Sequence, residues 1–390
     1  MSDRIGPAPF DDVALDELRR RTSAKWRMHP ADVLPTFVAE MDFPLAEPIA
    51  AALADAVARG DTGYAWPQRL PEVFAADAAR RFGWTVHPAR VSVYGDVLTA
   101  VSWALRALTR PGDGVVITPP VYPPFFSVVP DVAGRRLVEV PLARDGAGWT
   151  WDLDALAAAF AREDVRAFLL CNPHNPTGQV ADRALLTEIA GLATRHGVVV
   201  VADEVHAPMT LPGAVHTPYV SLGEEAAGDS VTVTSASKAW NVPGLKCAQL
   251  VAGSASLADR LGERVPQEAH FTTGLFGVVA AVAAYSEGQD WLDRALATID
   301  RNRALLADLL DRDLPGTRYV APAAGYLAWV DCSELGLGPD PAAVFLERGR
   351  VACGSGPAFG AGGAGHVRLS IATSAGILTE IVQRMAAALR

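Results

Sequence analysis

Between residues 90 and 250, short β-branched apolar runs alternate with longer stretches that are rich in alanine and leucine. The short runs have the length and composition of buried strands, and they occupy residues 115–118, 167–170, 198–202 and 231–234. The longer stretches, at 98–108 and 181–196, repeat their apolar positions at helical spacing. This alternation predicts βαβ units, and therefore an α/β fold with a largely parallel sheet.

The C-terminal part of the chain has a different pattern. Residues 287–310 predict a long amphipathic helix, residues 318–330 and 367–372 predict strands, and a helix closes the chain. We therefore predict a large domain of residues 46–285 and a smaller α+β domain formed by residues 1–45 and 286–390. Six glycines between residues 354 and 365 predict a mobile loop ahead of the last strand.

Composition narrows the range of partners. The chain has 390 residues, of which 50% are hydrophobic and 20% charged, as expected for a globular protein with a substantial core. Its net charge is −10, and its 34 basic residues are scattered along the sequence, which argues against a nucleic-acid partner. A small molecule is the expected partner.

Cysteine usage and the N-terminus bear on the cellular compartment. The four cysteines lack the spacing of a metal site, so we expect reduced and mostly buried thiols and no bound metal. Residues 1–20 lack the basic start and apolar stretch of a secretory signal. The longest apolar run, 275–285, has 11 residues, whereas a membrane span needs about 20. We therefore expect a cytoplasmic protein without a membrane anchor.

Lys238 is the central candidate for chemistry. Its amine can form a Schiff base with an aldehyde, and it lies among Ser235, Ser237 and Lys246, which offer hydroxyls and a cation to a phosphate. Asp203 ends the valine-rich run 198–202, where its carboxylate can keep a pyridinium nitrogen protonated. Together these residues predict a site for pyridoxal 5′-phosphate (PLP).

Simpler interpretations exist for the same residues. A lone lysine is usually a solvated surface group, and a lone carboxylate at a strand end is usually a polar terminus. The spacing Ser235-x-x-Lys238 also occurs in serine acyl hydrolases, but the SDN and KTG triplets of those enzymes are absent from the chain. The PLP interpretation is favoured because separate motifs fall after the ends of successive strands, where ligands collect in parallel sheets.

Further candidates surround this core. Asn175 lies in an Asn-Pro-Thr-Gly turn and can offer an amide to the cofactor phenol oxygen or to the substrate. His206 can hydrogen-bond the same phenol oxygen or simply cap its loop. Tyr122 can stack on the cofactor ring, although a packed aromatic is the ordinary role. The helix that begins after Gly95, Asp96 and Val97 can bind a phosphate at its N-terminus, provided that the Asp96 carboxylate turns away.

Arg368 is a cation in the otherwise apolar run 366–372. A buried arginine needs an anion, and no acidic residue lies nearby in the sequence. A substrate carboxylate held by two parallel hydrogen bonds is the favoured partner. A structural salt bridge to a distant Asp or Glu is the alternative.

These motifs resemble those of fold-type I PLP-dependent enzymes of the class I/II aminotransferase-like type. More narrowly, they resemble those of the MalY/PatB group of C–S β-lyases. The narrower resemblance rests on residues 21–26, 37–44, 172–178, 203–206 and 235–241, and it extends over essentially the whole chain. It implies a homodimer in which Tyr64 reaches the cofactor phosphate of the neighbouring subunit. Glu40 stands where the group usually has Asp, and Trp240 and Pro243 also depart from its pattern, which leaves substrate preference open.

The resemblance also implies the chemistry. Lys238 would take the α-proton of an L-amino-acid substrate, with Asp203 and Tyr64 supporting the reaction. Loss of a β-thiolate would then give a thiol, pyruvate and ammonia from cystathionine or a cysteine S-conjugate. Reprotonation at the cofactor carbon would instead give an aminotransferase, and no residue decides between these outcomes. A PLP-binding regulatory protein is disfavoured because a helix-turn-helix extension and a basic stretch are absent.

Overall fold

The structure, a computed structural model, describes residues 10–67, 69–146 and 148–390. Its strands are β1 (Leu34–Pro35), β2 (Val91–Tyr94), β3 (Gly114–Ile117), β4 (Arg136–Glu139), β5 (Ala143–Asp145), β6 (Gly148–Thr150), β7 (Val165–Cys171), β8 (Val199–Asp203), β9 (Val231–Thr234), β10 (Ala248–Ala252), β11 (Arg318–Tyr319), β12 (Leu327–Asp331), β13 (Val351–Ala352), β14 (Gly354–Ser355) and β15 (His366–Ser370).

Helices cover both sheet faces and much of the C-terminal part. They are α1 (Leu15–Leu18), α2 (Ala24–Arg27), α3 (Glu47–Ala58), α4 (Leu70–Phe82), α5 (Val97–Leu108), α6 (Phe125–Ser127), α7 (Leu153–Phe160), α8 (Arg183–His196), α9 (Glu224–Ala227), α10 (Ala236–Ala239), α11 (Ala255–Arg264), α12 (Leu275–Glu287), α13 (Gln289–Asp313), α14 (Pro341–Gly349) and α15 (Ala375–Ala387).

The large sheet has seven strands in the order β2-β10-β9-β8-β7-β3-β4. Strands β4, β3, β7, β8 and β9 run parallel, while β10 pairs antiparallel with both β9 and β2. All four predicted strands and both predicted helices of this region are confirmed, and so is the α/β class with a largely parallel sheet.

A smaller sheet follows, in the order β11-β12-β15-β14, with antiparallel neighbours. It confirms the predicted strand at 367–372 as β15, whereas the predicted segment 318–330 is divided into two strands, β11 and β12. Helix α13 confirms the long helix of this part. The first sheet lies within residues 46–285 and the second within 286–390; the boundary between the two domains remains a prediction.

Alternate residues of each central strand face opposite layers of core. Val116, Phe168 and Val200 belong to one apolar cluster, whereas Val115 and Leu169 belong to the other. Strands that are apolar on both faces are characteristic of a parallel sheet covered by helices on each side. Because both faces are occupied, the ends of the strands are the open places for a ligand.

Local sequence signals fix where the helices begin and end. Asp96 caps α5 by accepting a hydrogen bond from Thr99 N at 2.8 Å, and Asp182 caps α8 by accepting one from Leu185 N at 2.8 Å. Gly197 ends α8 with φ of 63°, a left-handed conformation that glycine adopts without steric cost. The C-terminal end of α8 determines where the chain enters β8, and the N-terminal cap of α5 determines the position of its first turn.

The glycine-rich segment 354–365 is packed, which replaces its interpretation as a mobile loop. A Cβ added at Gly356 would lie 2.1 Å from Gly363 O, and one added at Gly360 would lie 2.4 Å from the Phe126 ring. The glycines are therefore explained by close approach of backbone and ring rather than by flexibility.

All four cysteines are free and buried, as predicted. In the described part of the chain, every helix is too short or too polar to cross a membrane.

Candidate active site

A cavity of about 800 Å³, counted to its open mouth, lies at the carboxyl ends of β7, β8 and β9. The predicted site residues that line it are Gly95, Asp96, Val97, Tyr122, Asn175, Asp203, His206, Ser235, Ser237, Lys238 and Lys246. The sequence-based prediction that separate motifs meet at one edge of the sheet is therefore confirmed. Arg368 is connected to these residues by its hydrogen bond to Asn175. Tyr64 is not among the residues that line the cavity.

Lys238 lies on α10, a single helical turn that follows β9 directly. Its Nζ donates a hydrogen bond to Ala39 O at 3.1 Å. Burial, and to a smaller extent the nearby Arg368 charge, lower the pKa of this amine to about 8, and the charges of Glu40 and Asp203 oppose that shift. A substantial share of the amine is therefore neutral near pH 8, the form that can attack a carbonyl or accept a proton.

Asp203 is the last residue of β8 and is buried. Burial raises the pKa of its carboxyl to about 7, and the hydrogen bond from Val205 N at 3.1 Å opposes that rise. A cation placed against this carboxylate would return it to the charged form. A protonated pyridine nitrogen is such a cation, which fits the predicted role.

His206 is buried, and its Nδ1 has no hydrogen-bond partner among the described residues. Burial lowers the pKa of the ring to about 3, so the imidazole is neutral. The side chain makes no capping hydrogen bond, and the loop-cap interpretation is therefore not supported. Its contact with a cofactor oxygen remains a prediction, and the unpartnered nitrogen is consistent with it.

The predicted phosphate end of the cavity is built from two helix starts. Ser235 caps α10, accepting from Ser237 N at 3.0 Å and donating to Cys247 O at 2.6 Å. At the start of α5, the Asp96 carboxylate turns toward Thr99 N and pairs with Lys246 Nζ at 2.9 Å. Lys246 is thus held beside the first turn of α5.

Glycine is required at position 95. A Cβ added there would lie 2.6 Å from Thr272 O, too close for any other residue without a shift of backbone. The chain can therefore pass close to the 267–273 segment just before α5 begins. Tyr122 also lines the cavity, and burial raises the pKa of its phenol to about 12, so the side chain remains neutral.

Arg368 is buried in the small sheet, where its partners are uncharged. It donates from one terminal nitrogen to Asn175 Oδ1 at 3.1 Å and from the other to Phe37 O at 2.6 Å, and its Nε has no partner. No carboxylate of the described residues forms an ion pair with it, so the alternative of a structural salt bridge is not supported. A buried guanidinium of this kind is suited to an anionic ligand.

Tyr64 lies outside the cavity, in the loop between α3 and α4, and is 97% exposed. A second exposed aromatic, Trp66, is close to it in sequence and 74% exposed. Within one chain the structure therefore does not bring Tyr64 to Lys238.

Sequence reasoning missed the contribution of Ala39, whose backbone carbonyl accepts hydrogen bonds from both Lys238 and Tyr326. A backbone acceptor could not be predicted because any residue type offers one.

Comparison with known proteins assigns the chain to a family. The protein-family model for aminotransferase class I and II matches residues 38–385 of this chain. The chain belongs to this family. Its members use PLP, and the donors around the cavity fit that cofactor: a carbonyl-reactive amine, a buried carboxylate, an unpartnered imidazole nitrogen and two helix starts.

Individual relatives agree with the narrower resemblance. A putative cystathionine β-lyase of Mycobacterium leprae is 44% identical, over 98% of both chains. Cystathionine β-lyase PatB of Bacillus subtilis is 36% identical, over 92% of this chain and 93% of the relative. A crystal structure of a putative PLP-dependent β-cystathionase from Corynebacterium diphtheriae has a TM-score of 0.91 and 33% identity, covering 96% of this chain and 98% of the other.

Proposed function

We propose that this member of the aminotransferase class I and II family is a PLP-dependent C–S β-lyase. It cleaves L-cystathionine or cysteine S-conjugates to a thiol, pyruvate and ammonia. One observation carries the proposal: Lys238, Asp203 and Asn175 line one cavity, with Arg368 bonded to Asn175. Full-length similarity to curated cystathionine β-lyases supports the choice of reaction.

In this proposal, each end of the cofactor has its own residues. Lys238 would be the attachment point for the aldehyde, and Asp203 would pair with the ring nitrogen. Ser235, Ser237, Lys246 and the first turn of α5 would hold the phosphate, while Asn175, His206 and Tyr122 would bind the ring and its phenol oxygen. When bound, PLP supplies an electron-withdrawing ring that stabilises negative charge at the α-carbon of an amino acid.

The protein residues then act on the substrate. Arg368 and Asn175 hold the substrate carboxylate, which fixes the α-carbon within the cavity. The neutral amine of Lys238 accepts the α-proton, and its lowered pKa of about 8 suits a base that works near neutral pH. The C–S bond breaks as the thiolate leaves, and water converts the remaining three carbons to pyruvate and ammonia.

We further propose that the enzyme is a cytoplasmic homodimer. In the dimer, Tyr64 of one protomer completes the phosphate site of its partner. Its 97% exposed side chain supports this arrangement, because a tyrosine that the described residues leave almost fully exposed is available to a second copy. Trp66, which is 74% exposed, adds apolar surface to the same loop.

The experiment that tests the proposed reaction is an assay for pyruvate without any 2-oxo acid. L-cystathionine and several S-substituted cysteines are incubated with the PLP-loaded enzyme, and pyruvate and free thiol are measured together. The proposal predicts equal amounts of both products. Turnover that depends strictly on a 2-oxo acid, with no thiol released, would show an aminotransferase instead, the function that the family description favours.

A further inference from the structure

Phe359 is the aromatic residue that the glycine-rich segment 354–365 buries beside Arg368. The guanidinium carbon Cζ lies over the Phe359 ring, 5.1 Å from its centroid, which is within the range of a cation–π contact. Phe359 is 2% exposed, so water screens the contact little. Among the described residues, the charge of Arg368 is therefore stabilised by a ring and is not neutralised by a carboxylate.

The Phe359 ring is itself held in place. Its backbone carbonyl accepts a hydrogen bond from Val121 N at 2.9 Å, and its ring packs edge-on against Trp329 with 5.0 Å between the ring centroids. The chain then turns at Gly360, where an added Cβ would lie 2.4 Å from the Phe126 ring. Backbone and side-chain contacts together fix the position of the ring under the guanidinium.

The neighbours of Arg368 in the small sheet are uncharged as well. Its partners in the adjacent strands are Trp329 of β12 and Gly354 of β14. A Cβ added at Gly354 would lie 3.2 Å from Arg368 Cβ and 3.6 Å from its Nε, so glycine leaves the guanidinium uncrowded on that side. The hydrogen bonds to Asn175 Oδ1 and Phe37 O and the aromatic ring hold the cation, and its full charge remains for a ligand.

We propose that Phe359 is a positioning residue for Arg368, because its ring holds the guanidinium in the orientation that receives the substrate carboxylate. A carboxylate in the place of the ring would also hold the guanidinium, but it would compete with the substrate for the charge. An aromatic ring stabilises the cation without neutralising it. The inference rests on the proposed function, in which Arg368 binds the substrate carboxylate, and deepens it by naming the residue that prepares this contact.

A matched pair of ligands isolates the contact with the carboxylate. L-alanine and L-alaninamide share the α-carbon and the amine, differ in a carboxylate or a neutral amide, and lack a sulfur leaving group. Their dissociation constants for the PLP-loaded enzyme are measured by the change in cofactor absorbance. We expect Phe359→Leu to lower the preference for alanine about three- to tenfold, because the ligand must then immobilise the arginine on binding. An unchanged preference would overturn the inference.

Three further variants separate the ring from its volume and from general stability. Phe359→Tyr keeps the ring and should retain most of the preference, whereas Phe359→Met fills the space without a ring and should behave like Phe359→Leu. Phe160→Leu removes an equally buried ring, 1% exposed and packed against Phe168 rather than against a cavity residue, and should leave the preference unchanged. An equal loss in Phe160→Leu would show that lowered stability is the cause and would overturn the inference.

A double variant shows whether Phe359 acts through Arg368. Arg368→Gln removes the cation and should abolish most of the preference for alanine. Adding Phe359→Leu to Arg368→Gln should then lower the preference no further, since no guanidinium is left to hold. Additive losses would mean that the ring acts on the ligand by another route, and the inference would be wrong.

The same titration separates this inference from the lyase proposal. If cystathionine releases no pyruvate, the lyase proposal fails, while the alanine pair still decides on Phe359. A preference that Arg368→Gln abolishes and Phe359→Leu retains would overturn the inference and leave Arg368 as the carboxylate-binding residue. A preference that survives Arg368→Gln would refute the assigned role of Arg368, and the inference with it.

Discussion

Replacing Arg368 by lysine tests how the substrate is held. The guanidinium donates to Asn175 Oδ1 and Phe37 O, its Nε is unpartnered, and no carboxylate of the described residues pairs with it, so its charge is left for an anionic ligand. An ammonium group cannot reproduce two parallel hydrogen bonds to a carboxylate. Losing one hydrogen bond to a charged group costs about 1.5–3 kcal/mol, which corresponds to about a 10- to 150-fold increase in KM.

The assay is steady-state pyruvate release from cystathionine, with PLP affinity measured separately on the apo-protein. We expect KM to rise by that factor, while kcat and PLP affinity change much less, because Arg368 contacts the substrate and not the cofactor phosphate. Arg162→Lys is the control, since Arg162 is exposed and pairs with Asp164 at 3.2 Å on the surface. A KM within about twofold of wild type in Arg368→Lys would refute the assigned role.

Four further predictions follow from the site. Lys238→Ala should fold normally and lose all turnover, since it removes both the attachment point and the base; activity beyond a trace would contradict this role. Asp203→Ala should retain PLP through its phosphate but lose kcat far more than substrate affinity, and near-normal turnover would mean that the carboxylate is only structural. The rate of PLP uptake by the apo-protein, followed by absorbance, should rise with pH with its midpoint at about 8, because only the neutral amine of Lys238 attacks the aldehyde; a midpoint near the ordinary 10.5 would contradict the lowered pKa. Tyr64→Phe should weaken PLP retention, and mixing it with Arg368→Lys should restore up to about a quarter of wild-type activity after subunit exchange, because hybrid dimers place both lesions in one site and leave the other intact. No recovery after verified exchange would show that both residues act from one chain or that the protein is not such a dimer.

The strands and the cavity position were predictable because they depend on short-range patterns. Residues 198–202 and the neighbouring strands are continuous apolar runs, and in a parallel sheet such runs end at a common edge. Motifs that directly follow them, such as Asp203 and the turn at Asn175, must therefore meet. This is why the cavity lining could be predicted from a single sequence.

Other features depend on contacts between distant segments and leave little trace in the sequence. The antiparallel pairing of β10 with β9 and β2 is not encoded in either strand alone. The pairing of Asp96 with Lys246 joins residues 150 positions apart. The glycines of 354–365 were interpreted as a mobile loop, because composition alone does not distinguish flexibility from close packing.

The irregular segment 37–43 shows the same limit at the site itself. Its role depends on backbone carbonyls that any residue could offer, so the hydrogen bonds from Lys238 and Tyr326 to Ala39 O could not be predicted from residue types. Glu40 was noted in the sequence only as a departure from a related group. The structure adds that the Glu40 carbonyl accepts hydrogen bonds from Lys25 Nζ at 3.2 Å and from Ser370 Oγ at 3.4 Å.

The central claim, that Lys238 is the residue that binds PLP covalently, can be tested in one measurement. The chain has three lysines, and the other two have partners of their own: Lys25 pairs with buried Asp42, and Lys246 pairs with Asp96. The PLP-loaded protein is reduced with borohydride, digested, and its peptides are mapped by mass spectrometry. The account predicts the cofactor mass on Lys238 alone and its absence from Lys238→Ala. Label on Lys25 or Lys246, or on no lysine, would contradict it.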